Sequence, residues 1–207
     1  MEIGGIHFDV RVTLLVILST ILPMVDYYNH RLTAIKAVDR FFLYFIIPLI
    51  LILVLFKERP AGYGLTLGNW RTGLRWTVFA CAGMALVLWV IARQPGMMAF
   101  YEARAPEGAA RIILFNAVEM WGWEFMWRGL ILFGLARALG PGAAIWLQAV
   151  PFAFMHLGKP EVETFSTIFG GAALGYIAWQ SGSFLYPFLI HWFILSFTML
   201  VATGRIG

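Results

Sequence analysis

The sequence predicts an all-α bundle of about seven helices that passes repeatedly through a membrane. Three observations carry this. Of 207 residues, 61% are hydrophobic and only 13% charged, whereas soluble domains carry about 25% charged residues. The mean hydropathy is +0.80. The apolar residues fall into seven runs separated by short breaks rich in Pro, Gly and charge. Only helices and closed barrels satisfy their backbone inside a bilayer, and runs of this length read as helices. No polar stretch is long enough to form a separate soluble domain, so 1–207 reads as one integral membrane domain.

The first run, Val10 to Val25, ends near Pro23. Met1 to Asp9 has no basic region and no small-residue cleavage site follows, so this run is expected to stay as a helix, not to leave as a signal peptide. Asp26 to Arg40 is a polar break containing Asn29, His30, Arg31, Lys36 and Arg40. Phe41 to Phe56 is the second run, closed by the charged turn from Lys57 to Gly64. Trp76 to Ala92 is the third, and the break from Arg93 to Glu107 holds Pro95, Gly96 and Pro106. Ala109 to Leu139 is long and carries charges. Gly140-Pro141 stops it and starts Gly142 to Leu157. The turns Gly158-Lys159-Pro160 and Ser181-Gly182-Ser183 introduce Thr164 to Gln180 and Phe184 to Ala202. Several runs are shorter than the roughly 17–20 residues a span requires, which predicts tilted or partly interfacial helices.

The formal charge of +4 comes from Lys and Arg concentrated between the runs. That pattern reflects anchoring at the lipid interface; the bilayer is the expected partner, and nucleic acid is not. If the runs alternate, six basic residues fall on one side and seven on the other, so the charge bias sets no orientation. Cys81 alone permits no internal disulfide and reads as a small packing residue.

Function is signalled by charges where charges are costly. Glu124 and Arg128 lie four apart on one helical face inside the fourth run, and an ionisable group at membrane depth is a functional-site hypothesis by default. Glu119 lies one turn before Trp123 on the same stripe, and Asn116 is its neighbour at three apart. Later runs contribute His156 and His191. A carboxylate beside an imidazole can deprotonate water, and a second imidazole or a cation can stabilise an oxyanion. Simpler readings stand beside this one: an internal Glu–Arg ion pair, and histidines that only bridge helices. Two histidines on separate helices could also ligate a haem, and a transporter would show an internal repeat, which the sequence lacks.

The residues from about Glu107 to Ser196 resemble the CPBP intramembrane endopeptidases, which include the type II CAAX prenyl proteases and bacterial relatives linked to bacteriocin processing and immunity. The first family motif, Glu-Glu-x-x-x-Arg followed by Gly, is matched at Glu124, Arg128 and Gly129. The second, Phe-x-x-x-His, is matched by Phe152 and His156. A Gly-rich helix with Gly170, Gly171 and Gly175 and the turn Gly182-Ser183 lead to His191 of the third, His-x-x-x-Asn. The segment Gly64 to Trp70 resembles the family's upstream linker. Trp123 stands where the family has its first Glu, and Leu195 where it has Asn.

The resemblance implies a catalytic core of about 107–203 in a glutamic-type intramembrane endopeptidase. It implies that Glu119 or Glu124, with His156, activates water and that His191 helps hold the oxyanion. Arg128, Asn116 and Phe152 are the expected substrate-contacting residues, with Asn116 or Ser196 standing in for the Asn lost at Leu195. The expected substrate is a membrane-anchored protein or peptide precursor, cut near its membrane-associated C-terminal part. No cofactor is needed, although Glu and two His could hold zinc and the family was formerly treated as metal-dependent. The compact length resembles prokaryotic relatives, which implies a multi-pass protein of the cell (inner) membrane. The Trp123 and Leu195 departures support the alternative of an inactive scaffold or bacteriocin-immunity protein of the same family.

Overall fold

The computed structural model describes residues 1–28 and 32–206. Asn29, His30 and Arg31 of the polar break lie outside the described residues. A short antiparallel hairpin pairs β1 (Glu2–Ile3) with β2 (Ile6–His7). Among the described residues eight helices follow: α1 (Val10–Tyr27), α2 (Lys36–Leu55), α3 (Trp70–Ile91), α4 (Pro95–Glu102), α5 (109–139), α6 (Pro141–Phe154), α7 (Glu161–Ser181) and α8 (Leu185–Ala202). All seven apolar runs are helical. Four helices, α1, α2, α3 and α8, are long and apolar enough to cross a membrane by length and composition. The other three expected spans are set apart by charge in α5, by a length of 14 residues in α6 and by the Gly, Ser and Thr that dilute the hydropathy of α7.

Two additions come from the breaks. Pro60–Tyr63 forms a 3₁₀ turn. Helix α4 lies inside the Pro/Gly break, where Pro95 at its first position needs no hydrogen-bond donor. Met97 and Tyr101, four apart, bury one face of it.

Local chemistry fixes the helix ends. Asp9 caps α1 by accepting from the Val12 N–H, and Asn69 caps α3 by accepting from Thr72. In α2, Pro48 has no N–H to give to the carbonyl four residues earlier. The helix widens into five-residue π segments on either side, Phe42–Ile46 and Leu51–Leu55.

Helix α5 is the hub, with α1, α2, α6, α7 and α8 packed around it and α3 lying outside against α7 and α8. Its centre, Phe125–Ile131, is a π-helical segment in which every residue is buried. Small residues let neighbours come close. A Cβ on Gly122 would lie 3.0 Å from the Arg40 carbonyl of α2, and one on Gly171 would lie 2.9 Å from the Phe152 ring of α6.

The segment between the 3₁₀ turn and α3 docks on the α7–α8 turn through the backbone. Asn69 N–H donates to Ser181 O at 2.7 Å, Phe184 N–H to Gly64 O at 3.1 Å and Ser183 Oγ to Thr66 O at 2.5 Å. Gly68 adopts φ +53° there, and a Cβ would sit 2.0 Å from Ser181 O, so only glycine fits. This docking fixes the start of α8, the helix that carries His191.

Candidate functional site

Glu124 closes the first α-helical part of α5, and Arg128 lies in the π segment that follows. Both are fully buried. Arg128 Nη1 donates to Glu124 Oε1 at 2.8 Å. The same oxygen lies 2.5 Å from His191 Nδ1 of α8. A carboxylate can only accept, so Nδ1 carries the proton and Nε2 is the free end of the ring. Arg128 has two further anchors: Nη2 donates to Gly171 O of α7 at 3.3 Å, and the guanidinium lies 4.0 Å over the Phe152 ring. A buried charge pair persists when it is paired and hydrogen-bonded on several sides, and these contacts supply most of that, with Glu124 Oε2 and Arg128 Nε buried without a partner among the described residues.

His156 follows the end of α6. Its Nδ1 lies 2.9 Å from Phe152 O, and since a carbonyl only accepts, Nδ1–H again donates and Nε2 is left free. The two imidazoles are nearly parallel with centroids 6.4 Å apart, and Phe152 packs against both. Glu124 is therefore bonded to His191, while His156 is held by its own helix.

Two cavities meet at these rings. An apolar one of about 300 Å³ runs among α3, α7 and α8, with Leu88, Ile91, Leu174 and Ile194 in its wall. A polar one of about 370 Å³ is lined by Lys36, Arg40, Arg104, Lys159 and Glu119. His156, His191, Tyr101, Lys159 and Leu195 line both. Tyr101 OH donates to Glu163 at 2.6 Å, and Lys159 pairs with the other oxygen of that carboxylate at 2.5 Å, which ties α4 to the start of α7 beside the junction.

The expected site residues separate by position. Glu119, His156 and His191 open onto the polar cavity, and Phe152 onto the apolar one. Glu124 and Arg128 lie behind the rings with no exposure. Asn116 donates to Ser196 Oγ at 3.3 Å and joins α5 to α8, away from both cavity walls. Leu195, at the family's Asn position, is part of both walls. Trp123 packs edge-on to His156 at 6.3 Å and presents an aromatic surface there.

Two groups went unread in the sequence. Gln148 Nε2 donates to Gly171 O at 2.9 Å, the carbonyl that also receives Arg128. Its signal was present, since Gln148, Phe152 and His156 recur every four residues along one face of an apolar helix. Arg40 reaches Glu119 from 79 positions away, and nothing local marks that pairing.

Among the described residues no three His, Cys, Asp or Glu side chains gather to hold a metal ion.

The fold and site thus define a helical membrane-type bundle with a buried Glu–Arg–His cluster at the meeting of an apolar and a polar cavity. Residues 105–197 match the family model described as "Type II CAAX prenyl endopeptidase Rce1-like". This segment, a little under half of the chain, contains Glu124, Arg128, Phe152, His156 and His191, and the match agrees with the resemblance to the CPBP endopeptidases. Neither the comparison with curated proteins nor that with solved structures gives a match.

Proposed function

We propose that this chain is an intramembrane endopeptidase that hydrolyses a peptide bond in a membrane-anchored protein or peptide, near its membrane-associated C-terminal part. One observation carries the reading. Glu124 Oε1 is held between Arg128 and His191, and His191 opens onto the same cavity as His156 and Glu119.

Glu119 is the carboxylate in the wall of the polar cavity, so it is the base that can reach a water there. The free Nε2 of His156 accepts a hydrogen bond from the same water. The water oxygen attacks the scissile carbonyl carbon and its proton passes to Glu119. In its protonated form His191 donates from Nε2 to the oxyanion, with the counter-charge of Glu124 already in place behind the ring. The proton on Glu119 then moves to the amide nitrogen as the C–N bond breaks, leaving a carboxylic acid and an amine. Arg128 orients Glu124 and does not meet the substrate. The apolar cavity receives the lipid-like or apolar part of the substrate.

The test is cleavage of a fluorogenic prenylated CAAX-type peptide by the purified protein in lipid vesicles. It is paired with C-terminal proteomics of cells producing the wild type and each variant. Glu119→Gln, His156→Ala and His191→Ala should each lower turnover by about 100-fold or more, with thermal unfolding checked for each. Wild-type turnover in all three variants, or no cleavage by the wild type in either assay, would favour the inactive scaffold or immunity protein that Trp123 and Leu195 suggest.

A further inference from the structure

We infer that Arg40, on α2 and outside the family-matched segment, is a positioning residue that holds Glu119 in the wall of the polar cavity. The inference rests on the proposed role of Glu119. Three contacts support it. Arg40 Nη1 bonds Glu119. The other side of the guanidinium is gripped by Asp26 of α1, with Nε 3.1 and 3.0 Å from its two oxygens and Nη2 at 2.8 Å from Oδ2. Its plane lies 5.0 Å over the ring of Trp123. Tyr44 OH completes the clamp by donating to Asp26 Oδ2 at 3.2 Å.

Where the family motif has a carboxylate, Trp123 offers an aromatic face, and a cation above it gains cation–π energy that a carboxylate could not supply. The carboxylate on this stripe is one turn earlier, at Glu119, and needs a fixed partner to keep one rotamer. A planar guanidinium bound on two sides gives that geometry, whereas an ammonium fixes no angle. Gly122 permits the arrangement, because α2 passes so close there that a Cβ would meet the Arg40 carbonyl at 3.0 Å. Asp26, Arg40, Trp123 and Glu119 therefore make a chain from α1 through α2 to the cavity that His156 and His191 share.

The experiment measures kcat and KM on the prenylated peptide for Arg40→Gln, Arg40→Lys, Glu119→Gln and the double variant Arg40→Gln/Glu119→Gln, in vesicles, with thermal unfolding measured alongside. Misplacing a catalytic group by about 1 Å costs up to about 100-fold. Arg40→Gln should therefore lose about 10–100-fold in kcat with KM nearly unchanged, and Arg40→Lys should fall between it and the wild type. The double variant should be no slower than Glu119→Gln alone, because Arg40 acts through that residue. A wild-type kcat in Arg40→Gln overturns the inference, as does a double variant slowed by the product of the two single effects. If Arg40→Gln does not fold, Arg40→Lys decides, and a wild-type kcat there overturns the inference. A wild-type kcat in Glu119→Gln overturns instead the reading on which the inference rests, and is recognised by that variant alone.

Discussion

Glu124 and Arg128 show what a buried charge demands of its neighbours. Removing one member of such a pair leaves the other buried and unpaired, which costs about 3–5 kcal/mol, whereas replacing both by apolar or neutral groups can be close to neutral. Arg128→Met should therefore destabilise the protein by about that amount, and Glu124→Gln/Arg128→Met should recover much of it while leaving turnover low. Thermal unfolding in detergent, read beside peptide cleavage, checks both. Gly68→Ala tests another close contact, since the new Cβ would clash with Ser181 O on a left-handed backbone. It should lower the unfolding midpoint by several degrees, in line with a cost of about 1–3 kcal/mol. Residues of the first kind were legible in the sequence because a charge stands out in an apolar run. Arg40 was not, since a basic residue between two runs reads as an interfacial anchor and its partner Glu119 is remote in the chain.

At the level of elements, periodicity and Pro/Gly punctuation give the helices and their breaks, because each depends on neighbours within a few residues. The π segment of α5 had no such signal. The i→i+5 pattern depends on how the surrounding helices hold the backbone, and the residues Phe125–Ile131 would serve an ordinary helix equally well. Helix α4 was hidden because its Pro and Gly read as a break. The ends of elements are tied by exposed charge as well as by packing. Glu58 joins Arg11 of α1, Arg137 of α5 and the hydroxyl of Tyr63. Partial burial disfavours its charge, yet hydrogen bonds from Arg137 and Tyr63 and the charges of Arg137 and Arg11 outweigh this and hold its carboxyl below the usual range. Tyr63 moves the other way, pushed up to about 12 by burial and by its bond to Glu58. A folded carboxyl depressed in this way stabilises the fold above its unfolded value, and the contribution is lost as pH falls through the folded value. Wild type should therefore lose stability on acidification below about pH 4, and Glu58→Gln should flatten that limb. Being partly exposed, the cluster should be worth no more than about 1 kcal/mol at neutral pH. Unfolding midpoints from pH 7 to pH 3 check this.

Across the whole molecule, apolar side chains face outward as well as inward, as a bilayer solvent requires. Trp89 of α3 is 45% exposed, whereas Trp127 at the hub is fully enclosed. In vesicles with brominated acyl chains, a variant keeping only Trp89 should be strongly quenched and one keeping only Trp127 weakly so. Equal quenching of the two would mean that α3 does not face lipid. The membrane character and the predominance of helix were visible in composition because they depend on sums over the chain. The two cavities were not, since each is walled by helices whose mutual placement no local pattern encodes.

The docking of Gly64–Asn69 on the α7–α8 turn has a consequence for how the protein comes into being. The chain is made from its N-terminus, and α8 is the last described helix to leave the ribosome. Until α7 and the turn after it are made, the linker has no Ser181 or Ser183 to bind, and until α8 follows, Glu124 has no His191. The Glu124–Arg128 pair is therefore made before the histidine that binds it. Helix α8, its start held by the linker, then brings the second histidine to the cavity.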